Sequence, residues 1–153
     1  QNYKRKLKKD MIHGVLLTRL SVIKSDVGSV LHTMKNNDPG FLSFGEAYFS
    51  EINSMAINAL KRHREMTLNL VVPIGEIRIV LFDDRNTNQG KFQEIILSRK
   101  NYCRLTIPPM VWVGIQNLSK STSIILNIAN MPHNINELER KFIQEIKFNW
   151  NNQ

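Results

Sequence analysis

Apolar residues occur along the chain in short runs, and glycine, proline or clusters of small polar residues separate these runs. Short apolar runs with frequent turn signals are typical of β-strands. About nine strands and one short return are predicted. They fall at 15–23, 29–34, 44–52, 56–62, 66–72, 77–82, 92–97, 102–107, 111–116 and 122–129, the second being a short return.

Two further features refine this pattern. Pro73, Gly75 and Glu76 form a turn signal that predicts a hairpin between 66–72 and 77–82. Only 134–146 has helical spacing, with a capping asparagine followed by one apolar stripe. The stripe consists of Leu138, Phe142, Ile143 and Ile146. The pattern therefore predicts an all-β antiparallel sandwich, jelly roll or barrel with a short C-terminal helix, whose interior can hold a small ligand.

Length and composition indicate a single domain. The chain has 153 residues, of which 42% are hydrophobic, enough for one buried core. No apolar run approaches the length that crosses a bilayer, and we expect an unsecreted protein that does not bind membranes. The single cysteine, Cys103, lies in an apolar run and is read as a buried thiol, in agreement with a reducing, cytoplasmic environment.

The net charge of +8 is concentrated at one end of the chain. Residues 1–10 contain five lysine or arginine residues and one aspartate, which gives +4. We therefore divide the chain into a basic arm at 1–13 and one jelly-roll domain at 14–153. Nucleic-acid binding is disfavoured, because no stacking aromatics, zinc-ligand spacing or helix-turn-helix pattern accompanies the arm.

The strongest candidate for chemistry is the polar stretch 61–65, which directly precedes an apolar strand. In a strand, Lys61 and His63 share one face while Arg62 and Arg64 share the other. If the first face points into a barrel, an amine and an imidazole meet inside a cavity. The alternative is a solvated strand end. No metal ligands with suitable spacing accompany His63, so no metal site is predicted.

Four blocks of sequence form a recognisable series. They are Phe-Gly-Glu-Ala-Tyr-Phe-Ser at 44–50, Lys-Arg-His-Arg-Glu-Met-Thr-Leu-Asn at 61–69, Val-Leu-Phe-Asp-Asp-Arg at 80–85 and Ile-Pro-Pro-Met-Val-Trp at 107–112. Together these blocks resemble the dTDP-4-dehydrorhamnose 3,5-epimerase family. The resemblance extends from about Gly14 to Trp150. It implies a cupin-type jelly roll, a homodimer, and a role in deoxysugar or surface-polysaccharide biosynthesis.

The reaction implied by the resemblance is epimerisation of a nucleotide-linked 4-keto-6-deoxyhexose beside its ketone, without a cofactor. A histidine removes the acidic proton, polar groups support the enolate, and a tyrosine returns a proton on the opposite face. By resemblance, Lys61 and His63 are the catalytic candidates. The candidate substrate-binding residues are Glu46, Tyr48, Arg62, Thr67, Asn69 and Asn127.

The chain departs from the family pattern at four positions. Lys61 stands where the family has its histidine, and Asn127 stands near the position of its tyrosine. Val27 and Asn58 replace two arginines that bind the diphosphate, for which Arg62, Arg64 or Arg85 are candidate replacements. A desolvated Lys61 could remove a proton or form a Schiff base, or it could contact a phosphate or water at the cavity mouth.

Three functional hypotheses therefore remain. The first is a nucleotide-sugar epimerase or ketoisomerase that uses Lys61 and His63. The second is a catalytically silent jelly roll that binds a sugar nucleotide or a protein partner, which the departures favour. The third is binding of nucleic acid or an anionic surface through the basic arm, which would weaken steeply with salt.

Overall fold

The computed structural model describes residues 11–86 and 90–151. These residues form twelve strands, and every strand pairing is antiparallel. The strands are β1 (Leu16–Arg19), β2 (Val22–Ser25), β3 (Gly28–Leu31), β4 (Glu46–Ile52), β5 (Ile57–His63), β6 (Leu68–Ile74), β7 (Glu76–Asp83), β8 (Lys91–Ser98), β9 (Cys103–Ile107), β10 (Trp112–Asn117), β11 (Ser123–Ala129) and β12 (Leu138–Arg140).

Two five-stranded sheets make up the body of the fold. The first sheet has the order β1-β9-β6-β11-β4, and the second has the order β12-β5-β10-β7-β8. Strands β2 and β3 form a separate hairpin. Alternate residues of both sheets point inward and form one apolar core, for example Leu70 and Leu105 in the first sheet and Ile79 and Leu81 in the second. The predicted all-β antiparallel jelly roll is confirmed.

The predicted hairpin between 66–72 and 77–82 is wrong. β6 pairs with β9 and β11 in the first sheet, whereas β7 pairs with β8 and β10 in the second. Gly75 lies at the corner where the chain passes from one sheet to the other, and it has a φ of +89°. The turn signal at this position therefore marks a change of sheet. Local sequence does not distinguish that corner from a hairpin.

The predicted C-terminal helix is also wrong. The segment forms a 3₁₀ helix at Ile135–Glu137, strand β12, and a second 3₁₀ helix at Ile143–Glu145. β12 pairs with β5, with Leu138 opposite His63 and Arg140 opposite Lys61. The backbone of this segment satisfies the otherwise unpaired edge of β5, which outweighs its helical apolar spacing.

The outer face of the second sheet carries a smaller apolar cluster. Leu60, Trp112 and Ile146 are buried there, with Phe82 and Phe148 packed against them. Gly114 faces Trp150 so closely that a Cβ atom would lie 2.6 Å from the indole ring. The C-terminal segment is therefore attached to the outside of the sheet whose inner face carries Lys61 and His63.

The first residues of the described chain belong to the folded body. Ile12 is 2% exposed and joins the main core, although the predicted arm extends to residue 13. Residues 1–10 of that arm lie outside the described residues. In the described ranges, no helix has the length and hydrophobicity to span a membrane. Cys103 is a buried free thiol, as the sequence predicted.

Candidate active site

A cavity of about 400 Å³ lies between the inner faces of the two sheets. This volume is within the range of small-molecule sites. Both sheets contribute strands to its wall. The lining residues are Tyr48, Ser50, Glu51, Ile52, Asn58, Lys61, His63, Leu68, Leu70, Val113, Ile115, Ile125 and Asn127.

Strand β5 supplies three polar side chains to the cavity because it contains a bulge. Lys61 pairs with Val113 of β10, and Asn58 pairs with Ile115, so three steps along β5 match two along β10. In a regular strand, residues 58 and 61 would point to opposite sides. The bulge brings Asn58 to the same side as Lys61 and His63, and all three line the cavity.

His63 forms a buried pair with Glu137. The Nδ1 atom of His63 hydrogen bonds with Oε1 of Glu137, and the two side chains are only 11% and 4% exposed. Because a carboxylate can only accept a hydrogen bond, Nδ1 of His63 carries the proton in this contact. In the described part of the chain, no hydrogen bond engages the other ring nitrogen, Nε2, which can therefore accept a proton from a molecule in the cavity.

Glu137 is held as a carboxylate by three donors. Burial alone would raise its pKa, but hydrogen bonds from His63 and from the backbone N–H groups of Glu65 and Met66 outweigh burial. The pKa of Glu137 therefore lies below its ordinary value. An ionised carboxylate at this position orients the imidazole of His63.

Lys61 is in a partly desolvated position on the same wall. Burial lowers the pKa of its ammonium group, and the positive charge of Arg140 lowers it further. Arg140 is directly opposite Lys61 in the β5–β12 pairing. A weakly solvated ammonium group in a cavity interacts strongly with an oxygen that acquires negative charge.

Tyr48 and Asn127 supply polar groups from the opposite sheet. They are paired across β4 and β11. The side-chain nitrogen of Asn127 donates a hydrogen bond of 3.0 Å to the hydroxyl oxygen of Tyr48. Tyr48 is 39% exposed and Asn127 is 3% exposed, so the pair joins a solvent-accessible part of the cavity wall to a buried part.

The structure places four other predicted site residues outside the cavity lining. The first, Arg62, points to the outer face, where it pairs with Glu139 and Asp84 and lies 4.4 Å from the Trp112 ring. This follows from strand alternation, since its neighbours Lys61 and His63 point inward. Arg62 therefore stabilises the attachment of β12.

The other three are Thr67, Asn69 and Glu46. They lie in the body of the fold and do not line the cavity. The backbone N–H of Thr67 donates to the Asn130 side chain. Asn69 is buried on the outer side of β6, where it contacts Thr106 and the Gly40 carbonyl beneath the loop that precedes β4. One carboxylate oxygen of Glu46 is buried without a hydrogen-bond partner among the described residues.

The candidate replacement arginines also lie elsewhere. Arg64 pairs with Glu139, and Arg85 pairs with Asp83 and with the His13 carbonyl. Lys61 is the only arginine or lysine among the residues lining the cavity in the described ranges. Four aromatic residues near the resembling blocks also lie outside the cavity lining: Trp112 and Trp150 are buried on the outer face, while Phe44 and Phe49 are exposed.

Sequence reasoning missed Glu137, and it named Asn58 only as the position of a lost arginine. The sequence pattern places Glu137 in the first turn of a helix, and only the tertiary pairing of β12 with β5 brings it to His63. Asn58 enters the cavity because of the bulge, which leaves no signal in the sequence. In the described ranges, no three histidine, cysteine, aspartate or glutamate side chains cluster in a way that could hold a metal ion.

Comparisons with known proteins point to one class of enzyme. A dTDP sugar isomerase from Desulfovibrio desulfuricans G20 is 36% identical, with a TM-score of 0.86 over 91% of this chain and 92% of that chain. The spore coat polysaccharide biosynthesis protein SpsL of Bacillus subtilis (strain 168) is 26% identical over 94% of this chain and 99% of its own length. No family model matches the sequence.

A more distant structure has the same fold. The dTDP-4-dehydrorhamnose 3,5-epimerase from Sulfolobus tokodaii is 20% identical, with a TM-score of 0.79 over 91% of this chain and 83% of that chain. At this level of identity the similarity supports the jelly-roll architecture.

Proposed function

The chain belongs to the dTDP-sugar isomerase and epimerase family, and from this we propose that it isomerises a nucleotide-linked 4-keto-6-deoxyhexose in the cavity between its two sheets. The proposed reaction is proton transfer at a carbon beside the ketone. The same cavity contains the imidazole of His63, whose Nε2 has no hydrogen-bond partner among the described residues, and the partly desolvated ammonium group of Lys61. These are the groups that enolisation requires.

His63 acts as the base in this proposal. Its Nε2 atom removes the proton from the carbon beside the ketone, and the electron pair moves to the ketone oxygen as an enolate. Glu137 accepts the hydrogen bond from Nδ1 and stabilises the imidazolium that forms. The buried His63–Glu137 pair is the observation that carries the proposal, because it engages Nδ1 and leaves Nε2 of a cavity-lining histidine for proton transfer.

Lys61 stabilises the enolate oxygen. Its ammonium group and His63 are two residues apart on one strand and line the same cavity. A base and a cation on one wall can act on neighbouring atoms of one sugar, the carbon that loses the proton and the oxygen that gains charge. From the sequence alone, either Lys61 or His63 could be the base. The proposal assigns proton removal to His63 and stabilisation of the enolate to Lys61.

The test is conversion of dTDP-4-keto-6-deoxyglucose followed by proton NMR. We expect a new sugar spectrum with the wild-type protein. Replacement of His63 by asparagine or of Lys61 by methionine should lower the rate by about 100-fold or more. Arg64→Gln is the matched control on the outer face and should leave the rate unchanged.

The catalytically silent binding module remains the second candidate, because four positions depart from the family pattern. It predicts saturable binding of the nucleotide sugar with no conversion. Calorimetric titration beside the NMR assay separates these outcomes, and binding without conversion under all conditions would contradict the enzymatic proposal.

We also propose a cytoplasmic homodimer. Exposed apolar side chains lie on the β2–β3 hairpin and near the edge strand β4. They include Ile23, Val27, Val30, Phe44 and Phe49. Light scattering coupled to size-exclusion chromatography should give twice the 17.8 kDa chain mass, and Val27→Asp with Phe49→Asp should shift the protein towards monomer. A wild-type monomer at micromolar concentration would contradict the dimer.

A further inference from the structure

We propose that Tyr48 returns the proton to the sugar, and that Asn127 positions the Tyr48 hydroxyl for this step. This inference rests on the proposed function of the cavity and adds the second half of its reaction. It assigns a proton donor to a chain that has asparagine where its resemblance places a tyrosine.

The direction of the hydrogen bonds makes Tyr48 a donor to the cavity. The side-chain oxygen of Asn127 accepts the backbone N–H of Asn69 at 3.1 Å, which fixes the orientation of the amide. Its nitrogen must then face Tyr48 and donate to the hydroxyl oxygen at 3.0 Å. Since an amide nitrogen cannot accept a hydrogen bond, the Tyr48 proton cannot point back to Asn127. The hydroxyl proton remains available to a sugar in the cavity.

The base and the hydroxyl belong to different sheets. His63 lies on β5 of the second sheet, while Tyr48 and Asn127 lie on β4 and β11 of the first sheet. All three line the cavity that separates these sheets. A sugar ring between them presents one face to His63 and the other to Tyr48. A proton removed by one residue and returned by the other therefore inverts the configuration of the carbon.

The proton balance of the step is complete. The C–H bond breaks as Nε2 of His63 gains the proton, and the bonding electrons move to the ketone oxygen. When the ketone forms again, the carbon takes the proton from the Tyr48 hydroxyl. The resulting phenolate oxygen keeps the hydrogen bond from Asn127. Water then reprotonates Tyr48 and removes the proton from His63.

The experiment separates enolisation from inversion. The dTDP-4-keto-6-deoxyglucose substrate is incubated in deuterated water, and NMR follows deuterium in recovered substrate and in product. The wild type should form deuterated, inverted product. Tyr48→Phe should form product at least about 100-fold more slowly. It should still introduce deuterium into recovered substrate within about threefold of the wild-type enolisation rate, because His63 can return a solvent deuteron to the same face.

A second variant tests the positioning residue. Asn127→Asp keeps the shape and the acceptor for the Asn69 N–H, but it replaces the donor facing Tyr48 by an acceptor. The Tyr48 proton should then turn towards the introduced carboxylate, so product formation should fall while exchange into substrate continues. A thermal melt of the variant establishes that it is folded. Unchanged product formation in this variant would overturn the positioning role.

Tyr102→Phe is the matched control. The Tyr102 hydroxyl donates to the His32 carbonyl and lies outside the cavity lining, so its removal should leave both rates unchanged. Wild-type inversion rates in Tyr48→Phe would overturn the inference and leave the proposed function standing. Loss of exchange together with product in a folded, ligand-binding Tyr48→Phe would also overturn it. Absence of both exchange and product in the wild type would overturn the proposed function itself.

Discussion

At the residue scale, the site is built on a charged carboxylate that orients an imidazole. Glu137 is buried and ionised, and its hydrogen bond leaves only Nε2 of His63 available for chemistry. The carboxylate is itself held by the backbone N–H groups of Glu65 and Met66, immediately after β5. His63 is thus positioned by β5, which carries it, and by the segment containing Glu137 and β12, which pairs with the edge of β5.

Replacing Glu137 by glutamine tests this arrangement. The amide preserves the size of the side chain but cannot stabilise an imidazolium, so kcat should fall by about 100-fold or more with little change in KM. Steady-state kinetics measure both constants. The matched control is Glu139→Gln, two residues away, whose carboxylate pairs with Arg62 and Arg64 on the outer face. Equal losses in the two variants would contradict a specific role for Glu137.

The same carboxylate predicts a pH dependence of stability. Because the folded-state pKa of Glu137 lies below its ordinary value of 4.5, its contribution is present above pH 4.5 and is lost as the pH falls towards the folded-state pKa. Urea unfolding at several pH values should show wild type more stable than Glu137→Gln at neutral pH. The difference should narrow below pH 4.5. A difference that is constant with pH would contradict this linkage.

The sequence predicts which residues of β5 face the cavity, but it does not predict the side chains that contact them. Strand alternation predicts Lys61 and His63 on one face and Arg62 on the other, and the structure confirms that placement. Thr67 and Asn69 follow from the resemblance alone, and the structure buries them away from the cavity. Glu137 could not be found, because the contact with His63 joins positions that are 74 residues apart in the chain.

At the scale of elements, two irregularities position the site. The bulge in β5 brings Asn58 to the face of Lys61, and the corner at Gly75 sends the chain from one sheet to the other. The strand pattern predicts one run at 56–62, which contains the bulge, and the runs 66–72 and 77–82 on either side of the corner. It does not predict which sheet a run joins, because that choice depends on strands that are distant in the sequence.

Gly75→Ala should be strongly destabilising. The residue has a φ of +89°, which side chains rarely tolerate, and an added Cβ would overlap the Ser123 side chain. We expect a loss of about 2 kcal/mol or more in the free energy of unfolding, measured by urea denaturation. Glu76→Ala, at the exposed neighbouring position, is the control and should change stability little. A variant as stable as wild type would show that the corner tolerates a side chain.

At the scale of the whole molecule, the fold separates stability from chemistry. The core occupies much of the space between the sheets, and the cavity opens where polar residues replace apolar ones on β4, β5 and β11. β12 forms the edge of the second sheet, the 3₁₀ helix before it supplies Glu137, and the C-terminal segment packs on the outer face of that sheet. Two walls with different polar groups can act on opposite faces of one ring, which suits isomerisation beside a ketone.

The central claim is that His63 enolises a nucleotide-linked keto sugar in this cavity. Its most direct test is the rate of deuterium incorporation beside the ketone of dTDP-4-keto-6-deoxyglucose in deuterated water, in wild type and in His63→Asn. We predict incorporation by the wild type and a decrease of about 100-fold or more in the variant, with nucleotide-sugar binding retained. Equal incorporation by both proteins would contradict the assignment of the base. No incorporation by a wild-type protein that binds the sugar would contradict the enzymatic account.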